Sequence, residues 1–383
     1  MQSVEAHDQG VARWNEVVRA WEARSAEPRL ALAVATEALA SGANPVGVAQ
    51  TGVGLPDGAG RPAVNGRVRF VGRAARAAAL LNLEQWNEAR AEVEQALVEV
   101  RSLLGVPECT AVVDLDPQDV PEELSAFVTE TLLIGLRSAS LSNDLAAALT
   151  FGRAALSMAG RFGLANLEAR AHNDLASTYG RRDFRQRAFQ HLKSGVEVLE
   201  RAGLPVIPQL LTNLGNVYVE GLRLDEALGC YQRGRAGFNA AGDAFGSALA
   251  RSNEGRLLVL TGEPEKGLRS LKEALDIFVA LDRRAYVGTT LGKIGTAYAA
   301  LGDNLAAERW FEEALSALGD EELPFRGEVH EGYGTFLLER GRAEEAHEQF
   351  VRAERFYELA GSEGPAVGLI RYQARALQAL GRY

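Results

Sequence analysis

Cysteine, methionine, histidine and lysine are all scarce in these 383 residues: two Cys, two Met, five His and four Lys. Each shortage removes a class of chemistry. Cys109 and Cys230 lie far apart and read as reduced thiols rather than as a structural disulfide. His7, His172, His191, His330 and His347 never fall into H-E-x-x-H or a Cys/His metal spacing, so no metal site is expected. His172 and His191 could meet across one hairpin, but they are read as lying on solvated faces. No apolar run approaches the length needed to span a membrane, and "MQSVEAHDQG" has neither the basic nor the apolar part of a signal peptide. The expectation is a cytoplasmic chain with no membrane partner. A formal net charge of −10 leaves no basic footprint for nucleic acid.

Catalytic signatures are missing too. "GVGLPDGAG" lacks the Lys-Ser/Thr of a phosphate-binding loop and follows no strand. Asp114, Asp116 and Asp119 are not completed by the Gly and Glu of a calcium loop. No G-x-S-x-G or Cys-centred nucleophile occurs. Paired acids such as Glu312-Glu313 and Glu344-Glu345 read as solvent-facing charge. The chain is therefore expected to be no enzyme and to need no cofactor. Charged residues still make up 24% and hydrophobic ones 47%, so this is a folding chain and not a disordered one. The excess of Arg over Lys, with abundant Ala and Gly, has the composition of a GC-rich bacterial gene.

What is abundant is self-similarity. Five segments superpose with small residues at Ala176, Gly215, Gly255, Gly295 and Gly334, about 40 apart. Around them recur Tyr179, Tyr218, Leu258 and Tyr298, then Ala188, Ala227, Gly267, Ala307 and Ala346. Leu192, Tyr231, Leu271, Phe311 and Phe350 follow, with Ala274, Ala314 and Ala353 after some of them. These positions fall on the i, i+3, i+4 face of helices. Small residues there let two helices approach closely, and the large residues fill the space beside the crossing.

This pattern resembles the tetratricopeptide repeat: L-G-x2-Y, then Ala, an aromatic and a further Ala. The period exceeds the family's 34 residues, and its usual late Pro is replaced by Glu200, Asn239, Val279, Gly319 and Glu358. Without that Pro the second helix can run further. Gly203, Gly242 and Gly361 sit where a left-handed cap would end it. Such long-helix repeats are similar to those of kinesin light chain, LGN-type adaptors and the bacterial Rap and peptide-sensor regulators. The resemblance implies an all-α fold, a right-handed superhelical solenoid of about eight hairpins. Fainter copies contain Gly135, Ala147, Phe151 and Ala154, and Ala77, Ala89, Val93 and Ala96; Ala31, Ala35 and Ala38 resemble a second helix.

The domain reading has three parts: residues 1–40 as a degenerate N-terminal hairpin, 41–66 as a flexible Gly/Pro-rich linker, and 67–383 as the repeat array. An insertion at 105–123 interrupts the array, and the last repeat, "AVGLIRYQARALQALGRY", is incomplete. In that insertion "AVVDLD" could pair as a short strand.

In such arrays the first helices line an inner groove. The slots facing it hold Arg170, Asn173, Asp174 and Ser177, then Gln209, Thr212, Asn213 and Asn216. Ser252, Asn253 and Arg256 follow, then Thr289, Lys293 and Thr296, with Glu328, Glu331, Arg371, Tyr372 and Arg375 beyond. Asn is a poor helix former, so several on one face suggest donors and acceptors for a peptide backbone. Asn173, Asn213, Asn216, Asn253, Arg256 and Lys293 are the candidate ligand-binding residues. Asn216, Asn253 and Lys293 also occupy three slots of the carboxylate clamp of chaperone-binding repeats, while Thr212 and Thr289 replace its two outer lysines. The resemblance implies a protein or peptide ligand, one with acidic groups given Arg256 and Lys293. Ordinary polar residues of a solvated face remain the alternative. Two functional readings stand: a non-catalytic peptide-binding scaffold with a regulatory role, and the sensory region of a longer signalling enzyme, such as a diguanylate cyclase or a protein with a DNA-binding output domain. The array breaking off in mid-repeat, without a polar capping helix, is expected for the second. The uncapped C-terminal repeat also offers a surface for homo-oligomerisation.

Overall fold

A computed structural model describes residues 19–24, 27–40, 61–105, 115–182, 184–319, 321–360 and 367–381. Most of the expected linker, Cys109, Gly361 and most of "AVVDLD" lie outside the described residues. Among the described residues the secondary structure is all helical, with no strand. Contacts divide the chain into two compact units, residues 1–178 with 197–204 and residues 179–196 with 205–383.

Unit 1 contains α1 (Pro28–Ala40), α2 (Arg61–Asn82), α3 (Trp86–Leu104), a 3-10 turn (Pro117–Asp119), α4 (Glu122–Leu141), α5 (Leu145–Arg161) and nearly all of α6 (Ala165–Gly180). Helices α2 and α3 form one antiparallel-type pair in sequence, α4 and α5 the next, and α3 packs on α4. Ala31 and Ala35 of α1 are fully buried, as expected for a second helix. Two expected boundaries move. Helix α2 starts at Arg61, inside the stretch read as linker, because Pro62 stands in its first turn, where a missing N–H costs nothing. Helix α4 starts at Glu122, inside the expected insertion, with Pro121 as its N-cap.

The core of unit 1 gathers Phe70, Val93, Leu97, Leu124, Val128, Leu132, Leu133, Leu136, Phe151 and Met158. Helix α4 supplies more of it than any other helix. Contrary to the sequence reading, α4 is long and apolar enough to span a membrane by length and composition, but 67% of its apolar window is buried here. Its polar residues Thr129, Thr131 and Ser138 return their hydroxyls to carbonyls four residues earlier, at 2.7 Å each, so they enter the core satisfied.

Unit 2 is the regular part. It takes residues 185–196 of α7 (Arg185–Arg201), then α8 (Pro208–Glu220), α9 (Leu224–Ala240), α10 (Ala244–Leu260), α11 (Pro264–Ala280), α12 (Arg284–Ala300), α13 (Asn304–Ala317), α14 (Leu323–Glu339), α15 (Ala343–Leu359) and α16 (Val367–Ala379). Helices pair as α8/α9, α10/α11, α12/α13 and α14/α15, and each second helix packs on the next first helix. The first helices α8, α10, α12, α14 and α16 also touch in succession. From α10 to the start of α12, two 17-residue helices and two three-residue turns make the 40-residue period.

The turns end the helices with left-handed caps. Gly242, Gly262, Gly302 and Gly341 have φ between +70° and +85°. In each case the next residue's N–H reaches back five residues, as from Glu263 to the Leu258 carbonyl at 2.8 Å. In unit 1 Gly203 closes α7 in the same way. Asp243 and Asp303 then cap α10 and α13, accepting from Gly246 and Ala306.

Glycine and alanine at the crossings answer to measured space. A Cβ on Gly267 would lie 2.6 Å from the Gly255 carbonyl oxygen, backbone against backbone. A Cβ on Gly215 would meet the Tyr231 ring at 2.6 Å, and one on Gly334 the Phe350 ring at 2.7 Å. Ala227, Ala307 and Ala346, fully buried, take the slot that Gly267 takes in α11. Tyr231, Phe311 and Phe350 fill the space beside the crossings, each burying its ring for about 1.5–3 kcal/mol.

Candidate functional site on the first helices of unit 2

Helices α8 and α10 bring three of the candidate residues together. The Asn253 Nδ2 donates to Asn216 Oδ1 across the two first helices at 3.3 Å. The Tyr231 hydroxyl, rising from α9, donates to the same oxygen at 2.7 Å. Arg256, one turn after Asn253, brings its positive charge to bear on the Tyr231 phenol. Burial pushes the Tyr231 phenol up to about 12, and the Arg256 charge only partly offsets this, so the hydroxyl keeps its proton at neutral pH. Asn216, Asn253 and Arg256 are each half-buried.

Lys293 belongs to the next first helix, α12. Its side chain is 16% exposed, and its Nζ stands 3.6 Å from the Glu328 carboxylate on α14. A separation that long, with Glu328 half exposed, is a loose pair. Glu331, one turn on, accepts from the Tyr357 hydroxyl at 3.0 Å. Burial holds the Glu331 carboxyl above the usual carboxylate range, and nearby Glu328 adds to this. Gly327 makes the Tyr357 contact feasible, since a Cβ there would meet the ring at 2.7 Å.

The other candidates fall elsewhere. Asn213 is half-buried on α8, one turn before Asn216. Asn173 lies on α6 in unit 1, where its Nδ2 stands 3.4 Å from the Asp174 carboxylate. Asp174 is itself bound by Arg137 at 2.6 Å, which raises the Arg137 pKa. Arg170 pairs with Glu130 at 3.6 Å, and burial lowers its pKa.

Three slots assigned to the groove turn inward. Thr212 is 4% and Thr289 5% exposed, and their hydroxyls serve their own helices, at Pro208 and Tyr286. Ser252 is 1% exposed. The two threonines bond back to their own backbone, while the Ser252 hydroxyl is buried without a hydrogen-bond partner. The threonines in the outer clamp positions therefore present nothing to a ligand. His191 is also not on a solvated face: it stacks on Tyr179 with centroids 5.4 Å apart, and burial lowers its pKa.

Tyr357, and the hydrogen-bonding role of Tyr231, are not legible from slot position alone. The aromatic slot of the repeat holds Tyr231 where other repeats hold Phe311 and Phe350. A buried phenol needs a partner that a phenyl ring does not, and this single oxygen was the signal.

Paired helices of fixed period, packed in sequence with small residues at their crossings, define a helical-repeat scaffold. Residues 246–320 match the tetratricopeptide repeat family, and paired helices of the same kind continue on either side of them. Solved structures with a similar fold include aspartyl phosphate phosphatase F from Bacillus subtilis, at 14% identity and a TM-score of 0.56, covering 79% of this chain and 74% of that one. The apo form of RapI is similar at 14% identity and TM-score 0.53, covering 83% and 97%. NprR, solved with its cognate peptide NprX, is similar at 13% identity and TM-score 0.51, covering 78% and 81%. No curated protein matches the sequence.

Proposed function

We propose that unit 2 is a peptide-recognition module and that the chain is a non-catalytic regulatory scaffold. The observation that carries this reading is the polar cluster of Asn216, Asn253, Arg256 and Tyr231 spanning two adjacent first helices. Carboxamides are costly in helix interiors, where they compete with the backbone. Here two of them are held in fixed orientation on a shared face, as main-chain recognition requires. Arg256 and Lys293 place positive charge on that face of a chain with net charge −10, which favours a ligand with acidic groups. The similarity of fold to NprR, solved with a peptide, supports the same reading. The cytoplasm is the proposed compartment.

The test is selection of linear peptides from a display library on the full chain, followed by titration. The selected peptides should be acidic. Asn253→Ala should weaken them about 2- to 12-fold, the worth of one hydrogen bond. Lys293→Glu should weaken them more and reduce the salt dependence of what remains. Enrichment of peptides that bind both variants as tightly as the parent protein contradicts the reading.

A further inference from the structure

Resting on that reading, we propose that Tyr231 is a positioning residue that fixes the direction in which an extended peptide is read. A guanidinium has no acceptor, so the nearby Arg256 charge can take no proton from the phenol. The phenol proton then goes to Asn216 Oδ1, 2.7 Å away. The reverse orientation of the Asn216 amide would leave a buried hydroxyl proton without an acceptor, at the cost of an unmade hydrogen bond. With its oxygen committed to Tyr231, Asn216 receives the Asn253 Nδ2 on the same atom. Two donors, the Tyr231 hydroxyl and the Asn253 amide, therefore converge on Asn216 Oδ1.

This leaves a defined pair for a ligand. Asn216 presents Nδ2, a donor, and Asn253 presents Oδ1, an acceptor. An extended residue turns its own N–H and C=O to the same side. Its C=O meets Asn216 on α8 and its N–H meets Asn253 on α10, so the ligand runs from N to C in the direction α10 to α8. Lys293, on α12, lies on the other side of α10, since α10 packs between α8 and α12. The acidic group that Lys293 meets is therefore N-terminal to the residue read by the asparagines. It is an acidic side chain and not the peptide's C-terminal carboxylate. A phenylalanine at 231 would let both carboxamides rotate and would erase the direction, while keeping the ring that fills the crossing at Gly215.

The experiment uses the full chain and two blocked hexapeptide libraries as probes, Ac-Asp-Asp-X-X-X-X-NH2 and its reverse Ac-X-X-X-X-Asp-Asp-NH2, with capture quantified by mass spectrometry. The parent protein should favour the first library about 10-fold, the effect of losing one well-made hydrogen bond or slightly more. Tyr231→Phe should still capture acidic peptides but with a preference under about 2-fold. Asn216→Asp keeps the acceptor for Tyr231 and Asn253 but removes the outward donor. It should retain its melting midpoint and lose capture of both libraries, which guards against misreading a Tyr231→Phe that folds poorly. Equal capture of both libraries by the parent protein, preference for the reverse library, or an undiminished preference in Tyr231→Phe overturns the role of Tyr231. In those cases, acid-dependent capture that Lys293→Glu abolishes leaves the peptide-binding reading standing. No capture of either library overturns both.

Discussion

Leu222 stands where the pattern of turns calls for glycine, and replacing it should stabilise the protein. In unit 2 the turn between first and second helix uses Gly262, Gly302 and Gly341, all at positive φ. The α8/α9 turn puts Leu222 in that slot at φ +57°. A left-handed conformation costs an L-residue about 1–2 kcal/mol. Leu222 is 81% exposed, so truncating it forfeits little burial, under about 0.5 kcal/mol. Glycine's greater freedom in the unfolded chain takes back about 0.5–1 kcal/mol. Leu222→Gly should therefore gain about 0.5 kcal/mol, and Gly262→Leu, at φ +85°, should lose about 1 kcal/mol. Urea unfolding followed by circular dichroism measures both. Hydrogen exchange in α8 and α9 shows whether the gain is local, as expected where each repeat touches only its neighbours. A Leu222→Gly variant destabilised by more than about 0.5 kcal/mol would refute the claim that the turn is strained and the side chain unused.

Other outcomes follow from the same geometry. Gly267→Ala should cost about 1–3 kcal/mol, because its Cβ would press on both the Gly255 carbonyl oxygen and a Val259 methyl, each 2.6 Å away; thermal denaturation against the parent protein measures this. His330 is 4% exposed, bonded to Gln349 at 2.7 Å and stacked on Phe356, and burial lowers its pKa. Below about pH 6.5 the unfolded imidazole takes up a proton that the folded one refuses. Stability should thus fall as the pH drops through that range, and His330→Gln should flatten the slope in urea titrations at several pH values. Arg342 bridges Glu308 on α13 and Glu345 on α15, but these groups are well solvated, so Arg342→Ala should shift the unfolding midpoint by no more than a surface pair does, under about 1 kcal/mol.

The repeats were legible because their signal is steric. Gly215, Gly255, Gly295 and Gly334 mark helix crossings whether or not the intervening surface varies. The 40-residue rhythm follows from helix and turn lengths that the capping glycines set. The start of α2 was hidden because Pro62, Asn65 and Gly66 have low helix propensity, and position in the first turn overrides propensity. The apolar character of α4 was hidden by Glu130 and Arg137, which interrupt the run and are each bound to an opposite charge. Within the site, slot position identified Asn216, Asn253 and Arg256, which the fold joins. It could not separate them from Thr212, Ser252 and Thr289, which occupy equivalent slots and face inward. That distinction depends on how closely neighbouring first helices approach. The hydroxyl of Tyr231 matters only because two other helices bring Asn216 and Arg256 to it.

Titration of the full chain with a display-selected acidic peptide, watching the side-chain amide resonances of Asn216 and Asn253, shows whether these two asparagines hold the ligand. Both pairs of resonances should shift on binding, and Asn253→Ala should weaken the peptide about 2- to 12-fold. A peptide that binds while leaving both asparagine amides unmoved, with unchanged affinity in Asn253→Ala, would contradict it.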